Sequence, residues 1–226
     1  MAVRPYVVLS AAVSIDGHLD DANSGRLLLS SAEDFDRVDQ VRADSDAILI
    51  GANTVRRDNP RLLVNSAERR ARRLSEGKPE YPLKVTVTAS GVLSPDLKFW
   101  HHGGDKLVVT VDGAMRSIQT TLGDLAEVIS VGPELDWHLV LEELGRRGVD
   151  QLMVEGGGTI HTQLMAADLV DELHLALAPL LVGQPDAARF LGAATYPGGP
   201  NARMRVLDAR TVGDIVLVRY APKERH

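Results

Sequence analysis

Cysteine is absent from the 226-residue chain, so neither disulfide bonds nor cysteine-ligated metal can form. The sequence also lacks an apolar run of about 18 residues, the length that a membrane-spanning helix needs. No basic segment followed by an apolar stretch and a cleavage signature occurs near its start. These absences predict a cytoplasmic protein that does not contact a membrane. The adjacent His101 and His102 have no third ligand at suitable spacing, so we also predict no metal site.

An excess of positive charge is also missing. The 25 lysine and arginine residues stand against 31 aspartate and glutamate residues, which gives a net charge of −6. A chain with this balance is poorly suited to nonspecific binding of nucleic acid. The sequence has no internal repeat and no linker-like stretch, and its length suits one sizeable core. We therefore predict a single domain over residues 1–226.

Three consecutive glycines form the most distinctive local feature. Gly156, Gly157 and Gly158 follow a predicted buried strand and precede a predicted helix. A glycine turn lets a ligand approach the backbone, and the free N–H groups at a helix start favour a phosphate. Glu155, at the end of the strand, would lie where open α/β sheets bind ligands. The pattern matches neither the dinucleotide fingerprint nor the Walker loop, so a purely structural turn remains the alternative.

The chain begins with another predicted buried strand. Pro5–Val13 is nearly continuous in apolar residues and rich in β-branched ones. It leads into the turn signal Asp16-Gly17, at the edge of the sheet where ligands bind. Asp16 is a candidate for a supporting role near the site, unless the turn only reverses the chain. His18 has the chemistry of a proton donor, but we expect it to face solvent.

The next segments alternate between helix and strand. A Ser-x-x-Glu capping pattern at Ser30 and Glu33 predicts the start of a helix. Ala47–Ile50 then reads as a second buried strand, which gives the strand–helix–strand order of an α/β fold. Near the C-terminus, Arg203–Leu207 and Asp214–Arg219 predict two antiparallel edge strands.

Three motifs together give the sequence a resemblance to a known family. They are Ser14-Ile15-Asp16-Gly17, a block with Gly51, Thr54, Val55, Asp58, Pro60 and Leu62, and Val154-Glu155-Gly156-Gly157 followed by Leu169-Val170-Asp171-Glu172-Leu173. In order and spacing they resemble the reductase of riboflavin biosynthesis. That reductase forms the C-terminal half of the bifunctional bacterial deaminase–reductase and stands alone in archaea and fungi. The resemblance covers nearly the whole chain.

The resemblance implies a fold and an activity. The fold is dihydrofolate-reductase-like, of the α/β class, with a mixed, mostly parallel sheet flanked by helices on both faces and a C-terminal antiparallel hairpin. The implied protein is a homodimeric, NADP-dependent oxidoreductase, in which NADPH reduces the ribosyl group of a ribosylaminopyrimidine 5′-phosphate to ribityl. A pteridine, folate or specialised-metabolism reductase on the same fold is one alternative, and a nucleotide-binding protein without activity is another.

The resemblance also assigns residues to the two ligands. Cofactor contacts are implied for Thr54, Asp58, Ser90, Gly156, Gly157, Gly158, Thr159 and Ile160. Substrate contacts are implied for Arg42, Leu62 and Glu155. The catalytic residue stays open, with Asp16 as a candidate and solvent as an alternative source of the proton.

The chain departs from the family pattern at two places. The segment Ser24–Ser30 is one residue shorter than usual and lacks a tryptophan that meets the cofactor in the family. Asn65 stands where an arginine that helps to hold the substrate phosphate is expected. These differences leave the exact substrate open. The nearby run of Arg69, Arg70, Arg72 and Arg73 either forms a solvated helix face or supplies a substitute for the phosphate contact.

Overall fold

The computed structural model of the chain describes residues 4–23, 25, 27–199 and 202–222. Over these residues the chain has nine strands, seven α-helices and one 3-10 helix (Gly123–Leu125), and most strands and helices alternate along the sequence. The strands are β1 (Tyr6–Ser14), β2 (Ala47–Gly51), β3 (Leu83–Val87), β4 (Lys106–Thr110), β5 (Glu127–Ser130), β6 (Gln151–Gly156), β7 (Glu172–Ala178), β8 (Arg205–Val212) and β9 (Ile215–Ala221). The helices are α1 (Ala32–Asp44), α2 (Ala52–Asp58), α3 (Ala67–Ser75), α4 (Lys98–His101), α5 (Asp112–Leu122), α6 (Trp137–Arg146) and α7 (Gly158–Ala166).

Packing divides the chain into two compact units. The first contains Asp39–Met153 and the chain up to Tyr6, and the second contains Val7–Val38 and the chain from Val154 onward.

In the first unit, β5, β4, β3 and β2 lie side by side in that order, and all their pairings are parallel. Ile48 of β2 lies beside Lys84 of β3. All residues of β2, Ala47–Gly51, are buried, as expected for a parallel strand that is covered on both faces. The hydrophobic core of this unit includes Phe99 and Trp100 of α4, which pack edge to face with ring centroids 4.8 Å apart.

In the second unit, β1 and β7 are parallel, and β7, β9 and β8 follow in antiparallel pairings. One face of these strands buries Ala176, Leu217 and Ile215, each at most 1% exposed. Strand β6 continues from the first unit into the second. The nine strands thus form a mostly parallel sheet with an antiparallel C-terminal hairpin, which confirms the predicted fold class.

Two local expectations need correction. The N-cap of α1 is Ser31, whose Oγ accepts a hydrogen bond from the Asp34 N–H at 3.2 Å, so the cap lies one residue beyond Ser30. The two C-terminal strands are longer than predicted, and β9 is not an edge strand because it pairs with β7 on one side and β8 on the other. Alternation of apolar residues marks a strand, but it does not count the neighbours of that strand.

Candidate active site

Helix α2 carries two residues that the sequence assigned to the cofactor. It begins directly after the carboxyl end of β2, with Gly51 as its N-cap, and it ends at Asn59, which has a left-handed φ of 42°. Thr54 is half-buried and Asp58 is exposed on this helix. A hydroxyl and a carboxylate are therefore presented one helical turn apart, on the same face, just beyond the end of a parallel strand.

The loop after β3 presents the third candidate of this unit, Ser90. Its Oγ lies 3.4 Å from the Oγ1 of Thr88, which accepts a hydrogen bond from the Gly91 N–H at 3.3 Å. Arg56 of α2 donates from Nη1 to the carbonyl oxygen of Val92 at 2.6 Å. The structure thus ties the helix that carries Thr54 and Asp58 to the loop that carries Ser90.

Two predicted substrate contacts lie together in the first unit. Arg42 donates from Nη1 to the carbonyl oxygen of Leu63 at 2.9 Å. The preceding residue, Leu62, has a left-handed φ of 52° and is 5% exposed, because its side chain packs in the hydrophobic core. A ligand at this segment would therefore meet the backbone of Leu62 more readily than its side chain.

The arginines of α3 hold that helix in place. Arg69 pairs with Asp39 at 3.0 Å, and Arg70 pairs with Glu80 at 3.0 Å. Arg73 is 1% exposed and donates to the carbonyl oxygens of Pro79, Ala43 and Ser45. The expectation of a solvated helix face is wrong for Arg73, because backbone carbonyls satisfy its buried guanidinium.

The glycine turn of the second unit is shorter than the sequence indicated. Gly156 is the last residue of β6, Gly158 is the first of α7, and only Gly157 lies between them, with a φ of 98°. The His161 N–H donates to the Gly157 carbonyl oxygen at 3.0 Å. The amides of Gly158, Thr159 and Ile160 come before it and have no acceptor within the helix. This is the geometry that binds a phosphate group at a helix start. Glu155, half-buried, comes immediately before the turn.

Gly158 has a packing role that the sequence did not reveal. A Cβ at this position would collide with the carbonyl oxygen of Arg189. The segment that contains Arg189, residues 187–192, continues along α7. There the Gly192 N–H donates to the Thr162 Oγ1 at 2.8 Å, and the ring of Phe190 lies 5.3 Å from that of His161. The third glycine therefore admits a neighbouring backbone, whatever ligand the helix binds.

Asp16 is bound on several sides within the second unit. Its carboxylate accepts hydrogen bonds from the Ser14 hydroxyl at 2.6 Å, the Val182 N–H at 3.0 Å and the Gly183 N–H at 2.7 Å. The hydrogen bond from Ser14, with those from the two amides, holds the pKa of Asp16 well below its usual range. This carboxylate stays ionised and fastens the start of the segment after β7.

The expectation that His18 faces solvent is wrong. The side chain is 2% exposed, and its Nδ1 lies 3.4 Å from the Oδ2 of Asp16. The reason is the 187–192 segment, which pairs with the turn: His18 forms an antiparallel bridge with Arg189, and the Phe190 N–H donates to the Gly17 carbonyl oxygen at 3.0 Å. A pairing between residues so far apart in sequence leaves no local signal.

Ser24, where the shortened segment begins, and Arg26 lie outside the described residues. In the part of the chain that the structure describes, no three His, Cys, Asp or Glu side chains are arranged to hold a metal ion. No helix among the described residues is long and apolar enough to cross a bilayer.

Lys84 is a buried charged residue that the sequence did not mark as important. Its side chain is 1% exposed. Lys84 is the one charged residue in the strand Leu83–Val87, but its residue type does not reveal which groups it holds.

Residues 5–218 match the family described as the RibD C-terminal domain. Two relatives bear the name 2,5-diamino-6-ribosylamino-4(3H)-pyrimidinone 5′-phosphate reductase. The protein from Methanothermobacter thermautotrophicus is 31% identical over 223 residues, which are 98% of this chain and 100% of the relative. The protein from Archaeoglobus fulgidus is 38% identical over 186 residues, which are 82% of this chain and 85% of the relative.

Solved structures share the fold. RibD of Acinetobacter baumannii matches with a TM-score of 0.80 at 22% identity, over 98% of this chain and 59% of that longer chain. A pyrimidine reductase-like protein from Corynebacterium diphtheriae matches with a TM-score of 0.76 at 22% identity, over 96% of this chain and 91% of that one. The likeness confirms the predicted dihydrofolate-reductase-like fold.

Proposed function

Because the chain belongs to the RibD C-terminal domain family, we propose that it is an NADPH-dependent reductase of riboflavin biosynthesis, which converts the ribosyl group of a ribosylaminopyrimidine 5′-phosphate to ribityl. The observation that carries the proposal is similarity over 98% of the chain to a relative named as such a reductase. Both relatives are named for the 2,5-diaminopyrimidinone. We therefore infer that the preferred substrate still carries its 2-amino group, and that residues 1–226 act as a single reductase domain.

The reaction needs NADPH and the substrate to be bound next to each other in a fixed orientation. When bound, NADPH supplies the hydride that reduces C1′ of the ribosyl group. The bond between C1′ and the ring oxygen breaks, and that oxygen takes up one proton as it becomes a hydroxyl. The chain contributes by binding both molecules, orienting them and excluding water, which are effects that supply much of an enzyme's rate.

The start of α7 fits the pyrophosphate of the cofactor. Gly157, with its φ of 98°, turns the chain so that the amides of Gly158, Thr159 and Ile160 lie at the positive end of the helix. In the first unit, Thr54 and Asp58 offer a hydroxyl and a carboxylate to the cofactor, and Ser90 offers a second hydroxyl. We assign these residues to NADPH.

Preference for NADPH over NADH is a separate inference. Arg56 and Arg57 precede Asp58 on α2 and add positive charge beside the cofactor-binding residues. Arg56 also bonds to Val92 and to the Oδ1 of Asn53, so its guanidinium is already oriented. An ordered positive charge of this kind favours the extra phosphate of NADPH.

Substrate contacts are assigned to Glu155, Arg42 and Leu62. An ionised glutamate only accepts hydrogen bonds, which suits the exocyclic amines and ring N–H of an aminopyrimidine and repels a pyrophosphate. Glu155 therefore belongs to the substrate although the cofactor turn begins one residue later. Arg42 and the backbone of Leu62 lie together through the bond from Arg42 to Leu63.

The proton has no dedicated donor in this proposal. Asp16 is held ionised by its hydrogen bonds from Ser14, Val182 and Gly183, so it orders a loop and does not donate. Solvent then supplies the proton to the ring oxygen.

A homodimer is also part of the proposal. On one face of the second unit, the rows Leu177–Val216–Thr211 and Leu175–Val218–Ala209 run across β7, β9 and β8. Val216 is 42% exposed, and Leu175, Leu177 and Val218 are half-buried. Apolar rows left open in this way are typical of a surface that a partner covers.

Oxidation of NADPH tests the activity. Purified protein is mixed with NADPH and, in parallel, with the diaminopyrimidinone substrate, its deaminated counterpart, dihydrofolate or a dihydropteridine, and the loss of NADPH absorbance is followed. We expect rapid loss with the diaminopyrimidinone and slower loss with the deaminated form. Oxidation with dihydrofolate or the pteridine alone, or with none of the four, would contradict the proposal.

A further inference from the structure

A buried ammonium lies beneath the segment that carries Leu62. Lys84, on β3, is 1% exposed. Its Nζ donates to the carbonyl oxygens of Arg61 at 3.1 Å and His102 at 2.6 Å, and also to that of Phe99. Each of the three ammonium hydrogens therefore has a backbone acceptor.

Among the residues that the structure describes, no carboxylate forms an ion pair with Lys84. The ring of Phe99 lies close to the ammonium, with its centroid 4.6 Å from Nζ. Burial, with a smaller effect from nearby Lys106, lowers the pKa of Lys84 to about 7. A cation is costly at such a position, so packing alone does not explain why a lysine is there.

The three carbonyls identify what the ammonium orders. Arg61 lies in the connection between α2 and α3, while Phe99 and His102 lie in α4 and at its C-cap. A second bond joins the same two segments, because the Lys98 N–H donates to the Oδ1 of Asn59 at 2.6 Å. Lys84 thus fixes the connection that follows α2 against a short helix of the core.

That connection is held in a conformation that it would not favour alone. Asn59 and Leu62 both have left-handed φ values, 42° and 52°, which residues other than glycine rarely adopt. The carbonyls on either side of Leu62 are each held by a cation. Lys84 holds that of Arg61, and Arg42 holds that of Leu63 at 2.9 Å.

We propose that Lys84 is a positioning residue for the substrate, whose ammonium fixes the backbone on one side of Leu62 while Arg42 fixes the other side. The inference rests on the proposed function, because only there do Arg42 and Leu62 contact the substrate. Lys84 itself touches neither ligand. Its effect reaches the reaction through the shape of the Arg61–Leu63 backbone.

Lys84→Met tests the inference, since methionine fills a similar volume and removes all three donors. We expect the KM for the diaminopyrimidinone substrate to rise about tenfold, as for the loss of buried hydrogen bonds, while the NADPH dissociation constant changes less than about twofold. In hydrogen exchange, peptides that cover residues 59–63 should exchange faster, and those that cover residues 151–160 should not change.

Lys106→Met is the matched control. Lys106 lies beside Lys84 in register on β4, and its Nζ donates to the Gly103 carbonyl oxygen at 3.1 Å, its single acceptor among the described residues. We expect this variant to keep the wild-type KM and the wild-type exchange of residues 59–63. If Lys84→Met does not fold, Lys84→Gln replaces it. The glutamine amide keeps two N–H donors but lacks the charge and the length of lysine, so the KM should still rise and residues 59–63 should still exchange faster, and no change in either would overturn the inference.

The outcomes separate the two proposals. A lower melting temperature with unchanged KM and unchanged exchange of residues 59–63 would show that Lys84 only stabilises the fold, and it would overturn the inference. Faster exchange with an unchanged KM would overturn it as well. If the wild-type protein has no reductase activity, the proposed function fails, and the exchange of residues 59–63 still decides whether Lys84 holds this segment.

Discussion

His161 is a single residue whose burial fixes its charge. The side chain is fully buried on α7 beside Phe190. Burial lowers the pKa of His161 from 6.5 to about 4. The unfolded chain therefore binds more protons than the folded chain between these two values, so stability is fully present above pH 6.5 and falls as the pH decreases toward 4. The shift corresponds to about 3 kcal/mol.

His161→Leu should remove this pH dependence. Unfolding by denaturant at pH 7 and at pH 5 should show a smaller loss of free energy in the variant than in the wild type, by about 2 kcal/mol. His138→Leu is the control, because His138 is exposed and its loss should leave the pH dependence unchanged. If the wild type and His161→Leu lost equal free energies of unfolding between pH 7 and pH 5, His161 would have to be protonated in the folded protein at pH 5.

The carboxylate of Glu172 affects the stability of the protein in a different pH range from His161. Glu172 is buried, which opposes ionisation, but hydrogen bonds from His174 and Arg219 lower the pKa of Glu172 from 4.5 to about 2. The stability from this group is present above pH 4.5 and is lost as the pH falls toward 2. The interval between pH 4.5 and 6.5 is therefore the one in which His161 can be followed without interference from Glu172.

Glu155 and Gly157 should affect different ligands. Glu155→Gln keeps the shape and removes the charge. The value of kcat/KM for the substrate should therefore fall by a factor that corresponds to about 1–3 kcal/mol of lost transition-state stabilisation, and the affinity for NADPH should stay almost unchanged. Gly157→Val should weaken NADPH binding, because Gly157 has a φ of 98° that valine does not adopt. Fluorescence titration with NADPH and steady-state kinetics measure both. If Glu155→Gln weakened NADPH binding and left substrate selection intact, the assignment would be wrong.

At the scale of elements, the start of α7 depends on a close approach of backbone. The 187–192 segment lies so near that a Cβ at Gly158 would meet the Arg189 carbonyl oxygen. Gly158→Ala should therefore destabilise the protein by about 1–3 kcal/mol, the usual cost of overpacking. It should also weaken NADPH binding, because the first amides of α7 must shift.

Gly113→Ala is the matched control for that change. Gly113 lies in the first turn of α5, and nothing lies within 4 Å of a Cβ built there. Alanine at such a helical position should be neutral or stabilise by up to about 1 kcal/mol. Denaturation curves that showed the same effect for both substitutions would exclude the close approach at Gly158 as the cause.

At the scale of the whole molecule, assembly depends on the open apolar face of β7, β9 and β8. Val216 lies on that face and is 42% exposed. Val216→Lys should convert the expected dimer to a monomer, because a charge would be buried without a partner, and light scattering at micromolar concentration would detect the change. Leu139→Lys is the control, since Leu139 is 43% exposed on α6 and belongs to the first compact unit, not to the second, which carries this face. A wild-type monomer would contradict the homodimer.

The sequence was informative where a pattern is local. Apolar runs such as Ala47–Ile50 located the buried strands, and the glycine turn located the strand-to-helix junction before α7. The family motifs then gave the order of the elements. What the sequence could not indicate depends on contacts between distant residues. His18 is buried by residues near 190, and Arg73 is satisfied by carbonyls at the end of α1 and by that of Pro79.

The assignment of site residues to the two ligands stays a prediction. The structure shows only that Arg42, on α1, donates to the carbonyl oxygen next to Leu62. Lys84 was missed because its role depends on the carbonyls of Arg61, Phe99 and His102, which only the fold brings together. Patterns of residue type suggest which groups could meet a ligand, but they do not identify the groups that hold the backbone of those residues.

Transfer of deuterium from labelled NADPH tests the central claim most directly. The protein is incubated with the diaminopyrimidinone substrate and NADPH that carries deuterium at nicotinamide C4 on the transferred side, and the product is analysed by mass spectrometry. The account predicts a ribityl product with one deuterium at C1′. A ribityl product without deuterium, deuterium in the pyrimidine ring, or substrate recovered unchanged would contradict it.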